Sequence, residues 1–178
     1  MKKISVAYTA KVGVLSALAL IIYYLEFPVL PAFPWLMVDF GEVPVLLGGF
    51  ALGPLAGILI EFIKNVLHFI LKTSAGGVGE LANFLLGLSF ALPAFLLYRK
   101  RKNRVRVIIG MLIGLVVACV MAGVLNYYVF IPLYMPTMED VWGYIIAGAV
   151  PVTAIKYVLN GVVVFLIYPY LSKLLHRA

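Results

Sequence analysis

The sequence predicts an all-α integral membrane protein with about six transmembrane helices and with both termini in the cytoplasm. Hydrophobic residues make up 65% of the 178 residues and charged residues only 12%, and the mean hydropathy is +1.11. A membrane-spanning helix needs about 20 mostly apolar residues, and apolar stretches occupy nearly the whole chain. We therefore expect a single transmembrane domain, residues 1–178, with no separate soluble domain.

Glycine, proline and charged residues divide the chain into six apolar segments. Gly53-Pro54 interrupts one long apolar stretch, and because proline is costly inside a helix we expect a turn there. The first segment is longer than the roughly 7–15-residue core of a signal peptide, so a membrane helix is the better interpretation. The predicted segments are Ile4–Leu25, Val43–Leu52, Leu55–Leu71, Glu80–Tyr98, Val107–Val129 and Val141–Leu175.

The charged residues support this topology independently, because cytoplasmic loops of membrane proteins collect Lys and Arg. Ten basic residues fall on one side of the six-segment arrangement: Lys2, Lys3, Arg99, Lys100, Arg101, Lys102, Arg104, Arg106, Lys173 and Arg177. The other side carries Glu26, Asp39, Glu42, Glu80, Glu139 and Asp140, with Lys72 as the exception. We interpret the basic loop as a topology determinant that contacts anionic membrane lipid, and not as a nucleic-acid site.

The sequence lacks the motifs that are typical of several other classes of protein. The single cysteine, Cys119, provides no disulfide framework and no cysteine-based metal site. The chain contains no H-E-x-x-H, no G-x-S-x-G and no paired intramembrane aspartates, which argues against an enzyme. It also lacks G-x-x-x-x-G-K-[ST], so any ATP must be hydrolysed by another subunit.

Lys156 lies deep inside the last apolar segment. A lysine near the centre of a span costs about 2.5–3.5 kcal/mol on insertion scales, so we expect a partner or a polar cavity. Thr153 and Asn160 lie on the same helix face, and three polar groups together favour a binding role. The alternatives are a hydrogen-bond stripe between helices and a lysine that snorkels to the interface.

A second polar stripe lies on the third segment and comprises Glu61, Lys64, Asn65, His68 and Lys72. The spacing favours an internal ion pair, with His68 satisfied by a neighbouring group. A proton relay is the alternative, but the sequence offers no second intramembrane carboxylate to receive the proton. On the outer half, Asp39, Glu80, Asn83 and Asn126 join Lys156 in a predicted outward-facing pocket.

The first external loop carries Pro28, Pro31 and Pro34 at a spacing of three, which predicts a stiff polyproline II segment. Its aromatic residues, Trp35 among them, would cover a pocket or form an interfacial belt. The first helix carries small residues every four positions, at Ser5, Thr9, Gly13 and Ala17. Such a stripe serves either internal packing or the docking of a membrane partner.

Five sequence blocks, spread over nearly the whole chain, resemble the substrate-binding S components of energy-coupling factor (ECF) vitamin transporters, most closely the riboflavin-specific type. They are F-P-W-L-M-V-D-F-G-E-V-P (33–44), G-G-F-A-L-G-P-L-A-G (48–57), G-V-G-E-L-A-N-F (77–84), L-N-Y-Y-V-F-I-P-L-Y (125–134) and P-V-T-A-I-K (151–156). The resemblance implies a six-helix protein in a prokaryotic plasma membrane. It would bind riboflavin, with FMN as an alternative ligand, on the outer side, need no cofactor, and work with a transmembrane coupling subunit and two ATPase subunits.

The resemblance also implies that Asn126 and Lys156 hold the flavin ring, and the chemistry of a flavin and the polar pattern of the sequence suggest roles for the other candidate residues. Asn126 and Lys156 would donate to the flavin ring, and Asp39 would accept from the ribityl hydroxyls. Trp35, Phe40 and Leu46 would supply apolar and stacking contacts, and Asn83, Thr153 and Asn160 would complete the site. Two rival hypotheses are an S component for another vitamin and a structural membrane subunit without transport function.

Overall fold

The computed structural model describes residues 5–72 and 76–175, with side chains described up to residue 169. Within these ranges the chain forms six helices and one short β-ribbon. The elements are α1 (Val6–Tyr23), β1 (Phe27–Pro28), β2 (Met37–Val38), α2 (Glu42–Leu52), α3 (Pro54–Lys72) and α4 (Val78–Lys100), followed by α5 (Arg104–Tyr134) and α6, which runs from Val141 to Leu175. The predicted all-α membrane fold is confirmed. Four residues named in the sequence predictions, Lys2, Lys3, Ile4 and Arg177, lie outside the described residues.

Side-chain caps determine where several helices begin. Ser5 accepts from the Tyr8 N–H at 3.2 Å at the start of α1, and Asn103 accepts from the Arg106 N–H at 2.9 Å before α5. Asp140 likewise accepts from the Gly143 N–H at 2.8 Å before α6. Such caps satisfy backbone donors that the first helical turn leaves free. This explains why α5 begins three residues before the predicted Val107, inside the basic loop.

Five of the helices in the described part of the chain are long and apolar enough to cross a membrane. The exception is α2, whose 11 residues correspond to about 16 Å, roughly half the thickness of the hydrocarbon core. It ends at Gly53, which has a φ of +103°, and α3 begins at once with Pro54. The predicted break at Gly53-Pro54 is confirmed.

The loop between α1 and α2 differs from its prediction. Its ends pair as an antiparallel ribbon, with Phe27 opposite Val38. Between them, the Phe33 N–H donates to the Leu30 carbonyl and the Leu36 N–H donates to the Phe33 carbonyl, each at 3.0 Å. These are two successive β-turns. Each has a proline at its second position, where the fixed φ of proline suits the turn. The polyproline II prediction was wrong, because the three-residue spacing of the prolines also matches consecutive turns.

Small residues on α5 bring it close to α4. Gly110, Gly114 and Ala118 are buried at a spacing of four residues, and the glycines face the α4 backbone at Ala94 and Phe90. Close approach of this kind holds helices together in a membrane, where the hydrophobic effect contributes little to association. The packed helices frame a cavity at the end of the bundle opposite the basic loop.

Candidate functional site

A cavity of about 430 Å³ lies between the helix ends that carry the acidic residues. Every helix except α2 contributes to its wall, together with the β2 region of the first loop. Six of the nine predicted binding residues line it: Trp35, Asp39, Asn83, Asn126, Thr153 and Lys156. The volume falls within the range of about 300–1,000 Å³ that is typical of small-molecule sites.

An ion pair lies at the inner end of this cavity. Lys156 is near the middle of the apolar span Val141–Pro169, and its Nζ is 2.7 Å from Asp39 Oδ2. Asn160, one turn further on, donates to the backbone carbonyls of Asp39 (2.8 Å) and Lys156 (2.9 Å). Lys156 therefore has both the partner and the polar cavity that its position predicts, and with only 7% exposure it does not snorkel.

Asp39 reaches this depth because the chain before α2 is not helical. The Gly41 N–H donates to Asp39 Oδ1 at 2.7 Å, and a Cβ at Gly41 would lie 2.9 Å from the same oxygen and 3.2 Å from the Ala19 carbonyl. Irregular backbone at membrane depth occurs only where protein buries it or where it lines a cavity. Burial alone would raise the pKa of Asp39, but the charges of Lys156 and Lys64 hold this pKa below its ordinary value.

Aromatic rings form much of the cavity wall. Besides Trp35, they are Tyr23, Phe130, Tyr134, Tyr144 and Tyr157. Sequence reasoning missed the tyrosines, because a tyrosine within an apolar run is equally typical of a core or an interfacial position. Rings around a cavity offer large apolar faces for stacking.

Three predicted binding residues lie outside the cavity lining. Leu46 is fully buried in the main core, and half-buried Phe40 packs its ring 6.3 Å from that of Phe27. Asn160 holds the backbone of Asp39 and Lys156 rather than facing the cavity. All three residues lie behind the cavity wall. The ligand contacts assigned to them from the sequence stay predictions.

Asn126 opens a π-helical turn, Asn126–Phe130, within α5. A second π-helical turn, Ile145–Ala149, lies in α6. Turns of this kind are rare and are frequent at functional sites, where they redirect side chains. Asn126 Nδ2 donates to the Ala122 carbonyl at 2.7 Å, which leaves its second amide N–H and its carbonyl oxygen for a ligand.

The second polar stripe lies beside the cavity floor and forms ion pairs. Lys64 Nζ lies 2.7 Å from Glu61 Oε2 and 2.8 Å from Glu42 Oε1. The predicted internal ion pair is confirmed, but placing Glu42 in an external loop was wrong, because its side chain is completely buried. A second intramembrane carboxylate therefore exists. The sequence did not reveal it because Glu42 borders the apolar segment that forms α2.

The remaining members of the stripe also have partners. His68 Nδ1 is 2.9 Å from Glu80 Oε1, as expected of a satisfied histidine. Lys72, the basic exception on the acidic side, pairs with Glu26 at 2.9 Å. Both pairs lie at the outer rim of the cavity.

The small-residue stripe of α1 faces outward. Ser5, Thr9, Gly13 and Ala17 are all exposed, and a Cβ at Gly13 would meet no atom within 4 Å. This rules out internal packing within the described part of the chain as the reason for the stripe.

Comparison with known proteins agrees with the membrane fold. The family model for the ECF transporter substrate-specific component matches residues 7–168. The "Riboflavin transporter RibU" of Staphylococcus aureus is 34% identical over 172 residues, which cover 93% of this chain and 90% of that protein. The "Riboflavin transporter FmnP" of Bacillus subtilis is 35% identical over 167 residues, covering 88% and 87%.

A solved structure described as "Structure and mechanism of the S component of a bacterial ECF transporter" is also similar. It superposes with a TM-score of 0.83 at 33% sequence identity and covers 95% of this chain and 97% of the other. With this agreement in sequence, length and fold, the chain belongs to the family of substrate-specific S components of ECF transporters.

Proposed function

We propose that this chain is the riboflavin-binding subunit of an ECF vitamin uptake transporter, which captures riboflavin on the outer side of the membrane. The observation that carries the proposal is the Asp39–Lys156 ion pair at the floor of an aromatic-walled cavity of about 430 Å³. Two similar proteins named riboflavin transporters support the choice of ligand. As a member of a transporter family, the chain is a multi-pass plasma-membrane protein and not an enzyme.

The chemistry of the cavity suits a flavin. The isoalloxazine ring presents carbonyl oxygens and ring nitrogens, to which the Lys156 ammonium and the Asn126 amide donate. The ribityl hydroxyls donate to the Asp39 carboxylate and pair with Thr153 and Asn83. Trp35 and the wall tyrosines cover the apolar ring faces. In this scheme Phe40, Leu46 and Asn160 support these groups from behind.

Transport requires partners, since the chain has no nucleotide-binding motif of its own. We propose that a transmembrane coupling subunit docks on the exposed small-residue face of α1, formed by Ser5, Thr9, Gly13 and Ala17. Two ATPase subunits would complete the energizing module. The surrounding helix faces contact membrane lipid.

Binding tests the ligand assignment directly. We expect protein purified in detergent from flavin-containing cells to show a flavin absorption spectrum, and added riboflavin to lose fluorescence on binding. Lys156→Ala and Asn126→Ala should each weaken binding by more than tenfold, which corresponds to more than about 1.4 kcal/mol, because each removes a donor to the ring. Affinity is measured per folded protein, because removing Lys156 leaves Asp39 buried without its partner.

Lys11→Ala is the matched control, because Lys11 is exposed on α1 and away from the cavity. This variant should bind riboflavin like the unmodified protein. A colourless protein that does not bind added riboflavin would overturn the substrate while leaving the family assignment in place. Unchanged affinity in both cavity variants would overturn the roles of Asn126 and Lys156.

A further inference from the structure

Five buried charged side chains form one connected group next to the cavity floor: Asp39, Glu42, Glu61, Lys64 and Lys156. Here they are called the charge cluster. Lys64 Nζ bridges Glu42 and Glu61 at 2.8 and 2.7 Å. Lys156 Nζ is 2.7 Å from Asp39 and 3.9 Å from Glu42, so it joins the two halves of the cluster.

The charges of this cluster do not balance. Three carboxylates face two ammonium groups, so the fully ionised cluster carries one uncompensated negative charge. Glu42, Glu61 and Lys64 have no exposed surface, and an unpaired charge in such a place is costly enough that the group is neutralised instead. Binding one proton is the simplest way to neutralise this charge.

The polar atoms around the two glutamates also fit a bound proton. Glu42 Oε2 and Asn65 Oδ1 are fully buried and have no hydrogen-bond partner among the described residues. Asn65 Nδ2 donates to Glu61 Oε1 at 2.7 Å. Glu42 and Glu61 converge on Gly87 of α4, where a Cβ would lie within 3.0 Å of an oxygen from each. Protonating one of the two carboxylates removes the charge repulsion between them and supplies a hydrogen-bond donor.

No other described cation is close enough to balance the cluster. From α1, the Tyr23 ring lies under both ammonium groups, at 5.4 Å from Lys64 and 5.8 Å from Lys156. From α6, the buried Tyr157 ring lies 5.8 Å from Lys156 Nζ. The next basic group on α3, His68, is held by Glu80 at the rim. These neighbours add no fixed positive charge.

We propose that the Glu42–Glu61 pair holds one proton at neutral pH, as a buried proton site that contacts the ligand cavity through Lys156. A ligand that fills the cavity removes water from Asp39 and Lys156, which makes an uncompensated charge nearby still more costly. The proton is then held more tightly. By linkage, ligand affinity falls as pH rises through the range in which the empty protein loses this proton.

Infrared spectroscopy tests the proton site without any ligand. A protonated carboxylic acid has a carbonyl stretching band that an ionised carboxylate lacks, and the chain has only seven Asp and Glu side chains. In a detergent that has no carbonyl group, with bound lipid removed, we expect this band at neutral pH. Glu42→Gln and Glu61→Gln each balance the cluster without a proton, so the band should disappear from both variants.

Glu139→Gln is the control, because Glu139 is an exposed loop residue, and it should keep the band. Two results would overturn the proposal: no such band in the unmodified protein, or a band that persists unchanged in either cluster variant. The first result is decisive even if the variants do not fold. Stability that depends on sodium ions in a protein without the band would identify a metal cation as the occupant instead.

Calorimetry tests the link between proton and ligand, and this part rests on the proposed riboflavin function. At a pH where the empty protein has partly lost the proton, riboflavin binding should take up protons, so the binding enthalpy should differ between two buffers of different ionisation enthalpy. The difference should vanish in Glu61→Gln. If riboflavin binds with no proton uptake at any pH, the link is wrong. If riboflavin does not bind at all, the proposed function fails while the infrared result stands.

Discussion

At the residue scale, the missing side chain of Gly87 makes room for two carboxylates. A Cβ at this position would lie 2.7 Å from Glu61 Oε1 and 3.0 Å from Glu42 Oε1. Both distances are too short for ordinary contact, and neither carboxylate can move without disturbing its bond to Lys64. Glycine at this point of α4 is therefore a condition for the buried ion pairs of α2 and α3.

Gly87→Ala should destabilise the protein. Overpacking typically costs about 1–3 kcal/mol, which outweighs the gain of about 1 kcal/mol that alanine brings to a helix interior. The measurement is the thermal unfolding midpoint in detergent. Gly79→Ala on the same helix is the matched control, because its Cβ would meet no atom within 4 Å, and it should be neutral or stabilising. Equal midpoints for the two variants would contradict this account of Gly87.

At the element scale, the short helix α2 is defined by its two ends. It begins at Glu42, which is buried against Lys64, and it ends at Gly53, whose φ of +103° and ψ of 166° belong to a region that only glycine adopts easily. The chain reverses there and continues as α3 from Pro54, for which a missing N–H has no cost at a helix start. The turn keeps Glu42 on α2 beside Glu61 and Lys64 on α3.

Gly53→Ala should cost about 1–3 kcal/mol through backbone strain alone, because a Cβ there would meet no atom within 4 Å. The readout is again the unfolding midpoint. Gly161→Ala on α6 is the control, since its Cβ would make only ordinary contacts, at 3.8 Å to Met111 and 3.9 Å to Phe90. If Gly53→Ala is as stable as that control, the turn tolerates other residues and the strain argument is wrong.

At the scale of the whole molecule, the two ends of the helix bundle differ in their chemistry. One end carries the exposed basic loop from Arg99 to Arg104, and the other carries the cavity with its acidic rim. The exposed face of α1 belongs neither to the basic loop nor to the cavity. An S component needs such a division, because it must receive its ligand from one side while a partner acts from another surface.

Gly13→Leu tests the proposed partner surface of α1. The isolated subunit has room for the side chain, since a Cβ there would meet no atom within 4 Å. We therefore expect unchanged riboflavin affinity in detergent but loss of uptake by cells that contain the energizing module. Val14→Leu, an exposed neighbour on α1 that points in another direction, should leave uptake intact. Full uptake by Gly13→Leu would show that the partner docks elsewhere.

The amino-acid sequence alone determined the class of the protein and its helices, and it predicted the topology. These follow from local properties: the length of each apolar segment, the break at Gly53-Pro54 and the side on which Lys and Arg collect. The burial cost of Lys156 also predicted a polar site before any contact was known. Local patterns were ambiguous in the first loop, where consecutive turns and polyproline II share one proline spacing.

The tertiary structure decided which charges meet. Asp39 and Lys156 are separated by 117 positions in the chain, and Glu42 and Lys64 by 22. No periodicity within one helix predicts such pairs, because they depend on how the loop before α2 enters the bundle and on glycines that admit close approach. A charge beside an apolar segment looks the same in sequence whether it faces water or lies buried. Only the packing of the surrounding helices determines its environment, and with it the cavity floor and the charge cluster.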